Sequence, residues 1–289
     1  MLRFEYLRVN SIEEASRLLA EHGPEARGLA GGTDLMVQFH ERDKRWAELK
    51  YVVDFSGLTE MKYIRETATT VEIGALTTHT ELNLSPIVQK WAGFLSLAAG
   101  TVGSAQVRNL GTIGGSIGNA SPAADPLTPL IALEAEAVLA CGQDQRRAAV
   151  KDIYVKSSVL KLAPGEIITG FTFRKPAPGS FSAFEKLGRR KALAISRMNV
   201  AALLRFDGEV IAEARICPGC VFAIPDRVPS AENILIGQKP DPALFAEAGR
   251  EVSAEMIRRT GVRWSTEYKK PVIEALVPRA LTKAWEARR

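Results

Sequence analysis

Cysteine and histidine are scarce in this chain, three of each among 289 residues. Cys141, Cys217 and Cys220 are too few for a disulfide framework. Together with the scattered His22, His40 and His79 they show no metal-ligand spacing, and no set of four thiolates exists for an iron–sulfur cluster. Cys217-Pro218-Gly219-Cys220 is a CxxC, but it ends a strand-like run, whereas a dithiol redox pair normally opens a helix; a structural role is expected. The three histidines are candidates for a covalent cofactor link or a general base, but they lie in polar helical segments and are expected to be solvated. Long apolar runs are missing too. No stretch approaches the ~18 residues of a membrane span, and Glu5 interrupts Met1–Tyr6 before a secretory signal could form. The expected location is the cytoplasm. The net charge of +5 comes from 38 basic and 33 acidic residues, with no basic block interleaved with aromatics. That argues against nucleic-acid binding and suits an acidic partner or an anionic cofactor.

What is present is an ordinary globular composition, 46% hydrophobic, in a chain long enough for two or three subdomains. Ser11 with Glu14 predicts a capping box, with Ile12, Ala15, Leu18 and Leu19 on one helical face and Gly23 as the stop. A second helix is expected from Asp34 to about Lys44, then a short strand over 50–55. Residues 63–75 alternate as a hairpin, and 86–99 read as one helix. Asp125-Pro126 reads as an N-cap followed by proline at N1, with the helix running through Leu133. Strands follow near 137–140 and 166–174. The clearest linker is Lys175-Pro176-Ala177-Pro178-Gly179-Ser180. Beyond it come strands over 181–186, 198–205 and 210–216, then helices over 241–260 and 266–286. The pattern is α+β, with a first domain over 1–176 (lobes about 1–55 and 56–176) and a second over 177–289.

Two glycine segments carry the functional signal. The first is Gly28-Leu29-Ala30-Gly31-Gly32-Thr33-Asp34-Leu35 and the second Gly111-Thr112-Ile113-Gly114-Gly115-Ser116. Adjacent glycines beside a hydroxyl residue allow a tight turn whose N–H groups point into one concavity, which suits an anion. Neither segment has the G-x-G-x-x-G spacing between a strand and a helix that a Rossmann dinucleotide site requires. The alternative is one diphosphate shared by two loops. Neither loop contains a lysine, so its charge would fall to backbone amides, the Thr33 and Thr112 hydroxyls and the helix start after Thr33. Valine at Gly32 or Gly114 is expected to fill space the phosphates need.

With Gln106-Val107-Arg108-Asn109 before the second segment and Pro122-Ala123-Ala124-Asp125 after it, the chain resembles a known family from end to end. That family is the FAD-binding medium subunit of the molybdenum hydroxylases, the group of xanthine dehydrogenase, carbon monoxide dehydrogenase and 4-hydroxybenzoyl-CoA reductase. The resemblance implies a two-lobed FAD-binding domain of the vanillyl-alcohol-oxidase/PCMH type, followed by an α+β C-terminal domain with a small antiparallel sheet. It places FAD contacts along Gly28–Leu35 and Gly111–Ser116, with Asp125 as the acid after the second loop and Ile168 and Lys186 near the flavin. Val102 stands where some members place an aromatic beside the flavin, and Ser116 where many carry Asn. No cysteine cluster marks the extra iron–sulfur insertion of 4-hydroxybenzoyl-CoA reductase. By the same resemblance, molybdopterin and [2Fe–2S] clusters belong to a large and a small partner subunit, assembled as a dimer of heterotrimers. This chain would pass electrons from the clusters through FAD to an external acceptor. A self-contained flavin oxidase or dehydrogenase would need a substrate domain for which 289 residues leave little room. A non-catalytic scaffold would have no use for two intact glycine motifs.

Overall fold

A computed structural model describes residues 3–288; Met1, Leu2 and Arg289, used above in reading charge and leader, lie outside them. Strand β1 (Glu5–Arg8) leads to helix α1 (Ile12–His22). Ser11 caps that helix by accepting from the Glu14 amide at 3.1 Å. The Glu14 carboxylate accepts from the Asn10 amide at 2.9 Å, one residue ahead of the position a capping box uses. Strand β2 (Ala26–Leu29), helix α2 (Leu35–His40) and strand β3 (Tyr51–Asp54) complete a parallel sheet in the order β1-β3-β2. The first glycine segment therefore leaves the carboxyl end of a parallel strand, where such sheets present ligand loops. Helix α2 stops short of Lys44 because Arg42 adopts φ +54° and a 3₁₀ turn follows at Lys44–Trp46.

The hairpin expected over 63–75 is β4 (Ile64–Glu66) with β5 (Thr70–Gly74). Helix α3 (His79–Leu84) follows, with a complete capping box between Thr78 and Glu81. The single helix expected over 86–99 is two, α4 (Pro86–Trp91) and α5 (Gly93–Gly100), broken where Ala92 leaves helical geometry at φ −147°. The Phe94 amide at the break donates to Ser182 Oγ instead of continuing a helix. Helices α6 (Ala105–Leu110), α7 (Ile113–Gly118) and α8 (Leu127–Ala132) come next. Strands β6 (Glu136–Cys141), β7 (Asp144–Ala149), β8 (Tyr154–Lys156), β9 (Val159–Leu160) and β10 (Ile167–Arg174) follow. The larger sheet is antiparallel throughout, in the order β4-β5-β10-β6-β7. Its central strand β10 is buried at every position except Arg174, which is why Ile167–Phe173 reads as a nearly continuous apolar run.

Strands β11 (Ser180–Leu187), β12 (Met198–Asp207) and β13 (Val210–Gly219) form an antiparallel sheet in chain order. Side chains alternate across a strand, and here both faces are buried. Met198, Val200, Ala202 and Leu204 pack into a core with α9 (Pro229–Leu235), α10 (Pro242–Thr260) and α11 (Thr266–Glu286). Ala201, Leu203 and Cys217 on the other face join the core that continues through the glycine-loop region to β10. Asp241 caps α10 by accepting from the Ala243 and Leu244 amides, and Gly261 ends it at φ +66°. Buried Glu185 on β11 is held by Arg279 at 2.9 Å and by Lys283, both from α11.

Candidate cofactor site

The two glycine segments meet backbone to backbone. A Cβ on Gly31 would collide with the Leu110 carbonyl and lie 2.9 Å from Gly111 Cα. One on Gly111 would sit 3.1 Å from His79 Cδ2 and 3.2 Å from Thr33 Oγ1. Only glycine permits this approach. The second segment is fixed by the chain between β5 and α3: His79 N donates to Gly111 O, Ile113 N to Thr77 O and Gly114 N to Ala75 O, at 2.8–3.0 Å. Thr112 Oγ1 accepts from Gly115 N at 3.1 Å, so this hydroxyl caps α7. Gly114 is required for a reason other than phosphate space. A Cβ there would lie 2.5 Å from Ala75 Cβ, so Gly114 makes room for the β5–α3 segment and its missing side chain does not face ligand space.

A cavity of about 660 Å³ opens along this seam, within the range of small-molecule sites. All of Gly28–Leu35 line it, as do Gly111, Thr112, Gly114, Gly115, Ser116, Val102 and Ile168. Ile113 is fully buried in the core beneath it. Asp125 and Lys186 are not in its walls; they pair with each other at 2.5 Å. Lys186 Nζ also donates to Thr101 O at 3.0 Å, next to Val102, and Asp125 further accepts from Ser196 Oγ at 2.5 Å and Asn199 Nδ2 at 3.3 Å. Asp125 is thus not the N-cap of the following helix. Pro126 holds that position without a side-chain cap, because the carboxylate is drawn away to β11 and β12.

Several cavity residues were not singled out from the sequence. Arg27 donates from Nη2 to Gly118 O at 3.2 Å, with its guanidinium carbon 5.1 Å from the centre of the Trp46 ring. Trp46 Nε1 donates to Gln38 Oε1 at 2.9 Å, Gln38 Nε2 to Asn119 Oδ1 at 3.2 Å, and Asn119 Nδ2 to Asp34 Oδ2 at 2.8 Å. This relay ties the first lobe to the end of α7. Burial pushes the Asp34 carboxyl up, against the Asn119 hydrogen bond, and pushes the Arg27 guanidinium down, helped by nearby Arg45. His79 was expected to be solvated, yet only 3% of it is exposed. Its Nδ1 is buried with no hydrogen-bond partner, and burial followed by the Arg108 charge lowers its pKa to about 4. Arg27, Gln38 and Asn119 share one cause: each is fixed at the cavity by a hydrogen bond that crosses between the lobes.

Cys217 is fully buried in β13, and burial raises its thiol well above the ordinary range. Burial also raises Cys220, to about 11, so neither supplies a thiolate near neutrality. Among the described residues no group of three or more His, Cys, Asp or Glu could hold a metal ion, and no helix is long and apolar enough to cross a membrane.

Comparison with known proteins identifies the cofactor class. Residues 2–175 match the FAD binding domain in molybdopterin dehydrogenase. The chain belongs to that family of FAD-binding domains. Residues 182–284 match the CO dehydrogenase flavoprotein C-terminal domain. The nicotinate dehydrogenase FAD-subunit of Eubacterium barkeri is 34% identical over 242 residues, covering 82% of this chain and 81% of the relative. The carbon monoxide dehydrogenase medium chain of Hydrogenophaga pseudoflava is 31% identical over 283 residues, covering 98% and 97%. A solved structure of carbon monoxide dehydrogenase from that organism, lacking the Mo-pyranopterin moiety, superposes with a TM-score of 0.90 over 99% of this chain and 98% of that one, at 31% identity. Quinoline 2-oxidoreductase from Pseudomonas putida 86 gives a TM-score of 0.90 at 25% identity, covering 99% and 98%. The molybdopterin dehydrogenase FAD domain here is therefore part of an oxidoreductase, its cofactor is FAD, and the expected α+β two-domain fold holds. The cavity fits that cofactor: an amide-lined glycine seam, apolar walls at Leu29, Val102 and Ile168, and the cation of Arg27 suit a molecule that joins an aromatic ring to a diphosphate.

Proposed function

We propose that this chain is the electron-transfer flavoprotein subunit of a molybdenum hydroxylase assembly, accepting electrons from [2Fe–2S] clusters of a small subunit and delivering them to an external acceptor. The observation that carries the reading is the near-complete overlap with a carbon monoxide dehydrogenase medium chain, in sequence and in fold. In this reading substrate is oxidised on a large molybdopterin subunit, the assembly is a dimer of heterotrimers in the cytoplasm, and the FAD-binding domain ends at about residue 176. FAD supplies the redox chemistry; the chain binds it, orients it and sets its surroundings. The loops over 28–35 and 111–116 hold its diphosphate. Val102 and Ile168 flank the ring, near the Asp125–Lys186 pair, which fixes β11 and β12 against that end of the site.

The test is purification from the native host. The expected outcome is a visible flavin band on a complex that contains this chain, a large subunit and a small iron–sulfur subunit, with the flavin bleached anaerobically by the substrate of the complex. The isolated chain, loaded with FAD, should not be reduced by that substrate. Reduction of the isolated chain by an organic substrate would replace this reading with that of a self-contained dehydrogenase.

A further inference from the structure

Arg27 is a cation without a counter-ion. Its guanidinium has five N–H donors, and the one side-chain hydrogen bond it makes goes to the carbonyl of Gly118. Among the described residues no carboxylate lies within ion-pair distance of it. The neighbouring Arg45 is already spent, bonded through Nε and Nη2 to Asp43 at 3.0 and 2.7 Å, and adds only repulsion. Removing a charge from water is unfavourable unless an opposite charge meets it, and burial weakens the hold of Arg27 on its own proton. The side chain is nonetheless held in place, its guanidinium carbon 5.1 Å from the centre of the Trp46 ring and one donor tethered to the end of α7, and it lines the cavity. A guanidinium with this many free donors is suited to the planar, two-point recognition of phosphate oxygens.

We propose that Arg27 is the counter-charge to the FAD diphosphate, supplying from β2 the cation that the two glycine loops lack. The proposal rests on the reading of this cavity as the FAD site. It makes Arg27 a specificity residue that favours the dinucleotide over flavins without phosphate, with Trp46 as the platform that holds the guanidinium in place.

The experiment uses the deflavinated full-length chain, titrated with FAD and with riboflavin by flavin fluorescence, in the wild type, Arg27→Met and Arg27→Lys. Arg27→Met should weaken FAD binding roughly 10- to 100-fold, the range for loss of a charged hydrogen bond. Riboflavin binding should change by less than about threefold, and Arg27→Lys, which keeps the charge but not the two-point fork, should recover only part of the FAD affinity. Added salt should weaken FAD binding to the wild type more than to Arg27→Met. Because the apoprotein carries this charge unpaired, its melting temperature should be equal or higher in Arg27→Met. FAD affinity in Arg27→Met within about threefold of the wild type would overturn the proposal. So would a fall in apoprotein melting temperature that accompanies the loss of affinity and is not restored by lysine, which marks a structural arginine. Failure of the wild type to bind FAD would instead remove the reading of the cavity itself.

Discussion

His79 shows how one residue escapes a sequence reading. Its neighbours Thr78, Thr80 and Glu81 are those of a solvated helix start, yet the second glycine segment lies across the imidazole. The fold holds the ring neutral: its pKa is about 4, below the usual value of 6.5. Between these two values the unfolded chain binds more protons than the folded one, so stability rises with pH across this window and is lost as pH falls through it. The contribution is roughly 3 kcal/mol over the whole window. His79→Gln should flatten the dependence. Urea unfolding of the apoprotein at pH 7 and pH 4.5 checks this, and an equal loss of stability in wild type and variant would refute it. The glycines and Thr33 were legible because their chemistry is local to a motif. Arg27 and His79 were not, because what makes them unusual is a neighbour far along the chain.

Among the elements, those with clean periodicity were readable and those defined by pairing were not. β10 to β13 and the helices α10 and α11 stand close to where alternation and capping place them. The expected helix from Asp34 to Lys44 was too long, since nothing in its apolar pattern signals the left-handed turn at Arg42. β7, with the sequence DQRRAA and four exposed positions in a row, has no alternation and is a strand only because β6 pairs with it. The glycine elements allow a sharp contrast. Gly31→Ala forces a methyl group into the Leu110 carbonyl and should destabilise the apoprotein by about 1–3 kcal/mol, with loss of flavin. Gly118→Ala, at the end of α7, meets nothing within 4 Å and should be neutral or stabilising by about 0.4–1 kcal/mol. Denaturant titration of both variants measures the difference. Equal effects would mean that the seam yields more easily than its backbone contacts imply.

At the scale of the whole molecule, the β11–β13 sheet belongs to two cores at once. Alternate residues of β12 serve the helical core on one face and the glycine-loop core on the other. Buried ties cross the same boundary: Thr128 Oγ1 donates to Asn199 Oδ1 at 2.9 Å, and Asn199 Nδ2 to Asp125. A shared sheet should make unfolding concerted, although two sequence families meet within the chain. Single-tryptophan variants retaining only Trp91 or only Trp285 should report the same urea midpoint; separated midpoints would show that the halves unfold independently. The shared sheet was not legible in the sequence, because β12 is apolar on both faces and nothing in that run assigns its faces to different cores. The seam between Gly31 and Leu110 also bears on how the protein is made. On the ribosome, the first half of the cradle emerges long before the second. The cavity wall is closed only when Ile168 on β10 has followed both. On the proposed reading of the seam as the FAD site, a nascent chain has no complete cavity for a flavin until more than half of it has been translated.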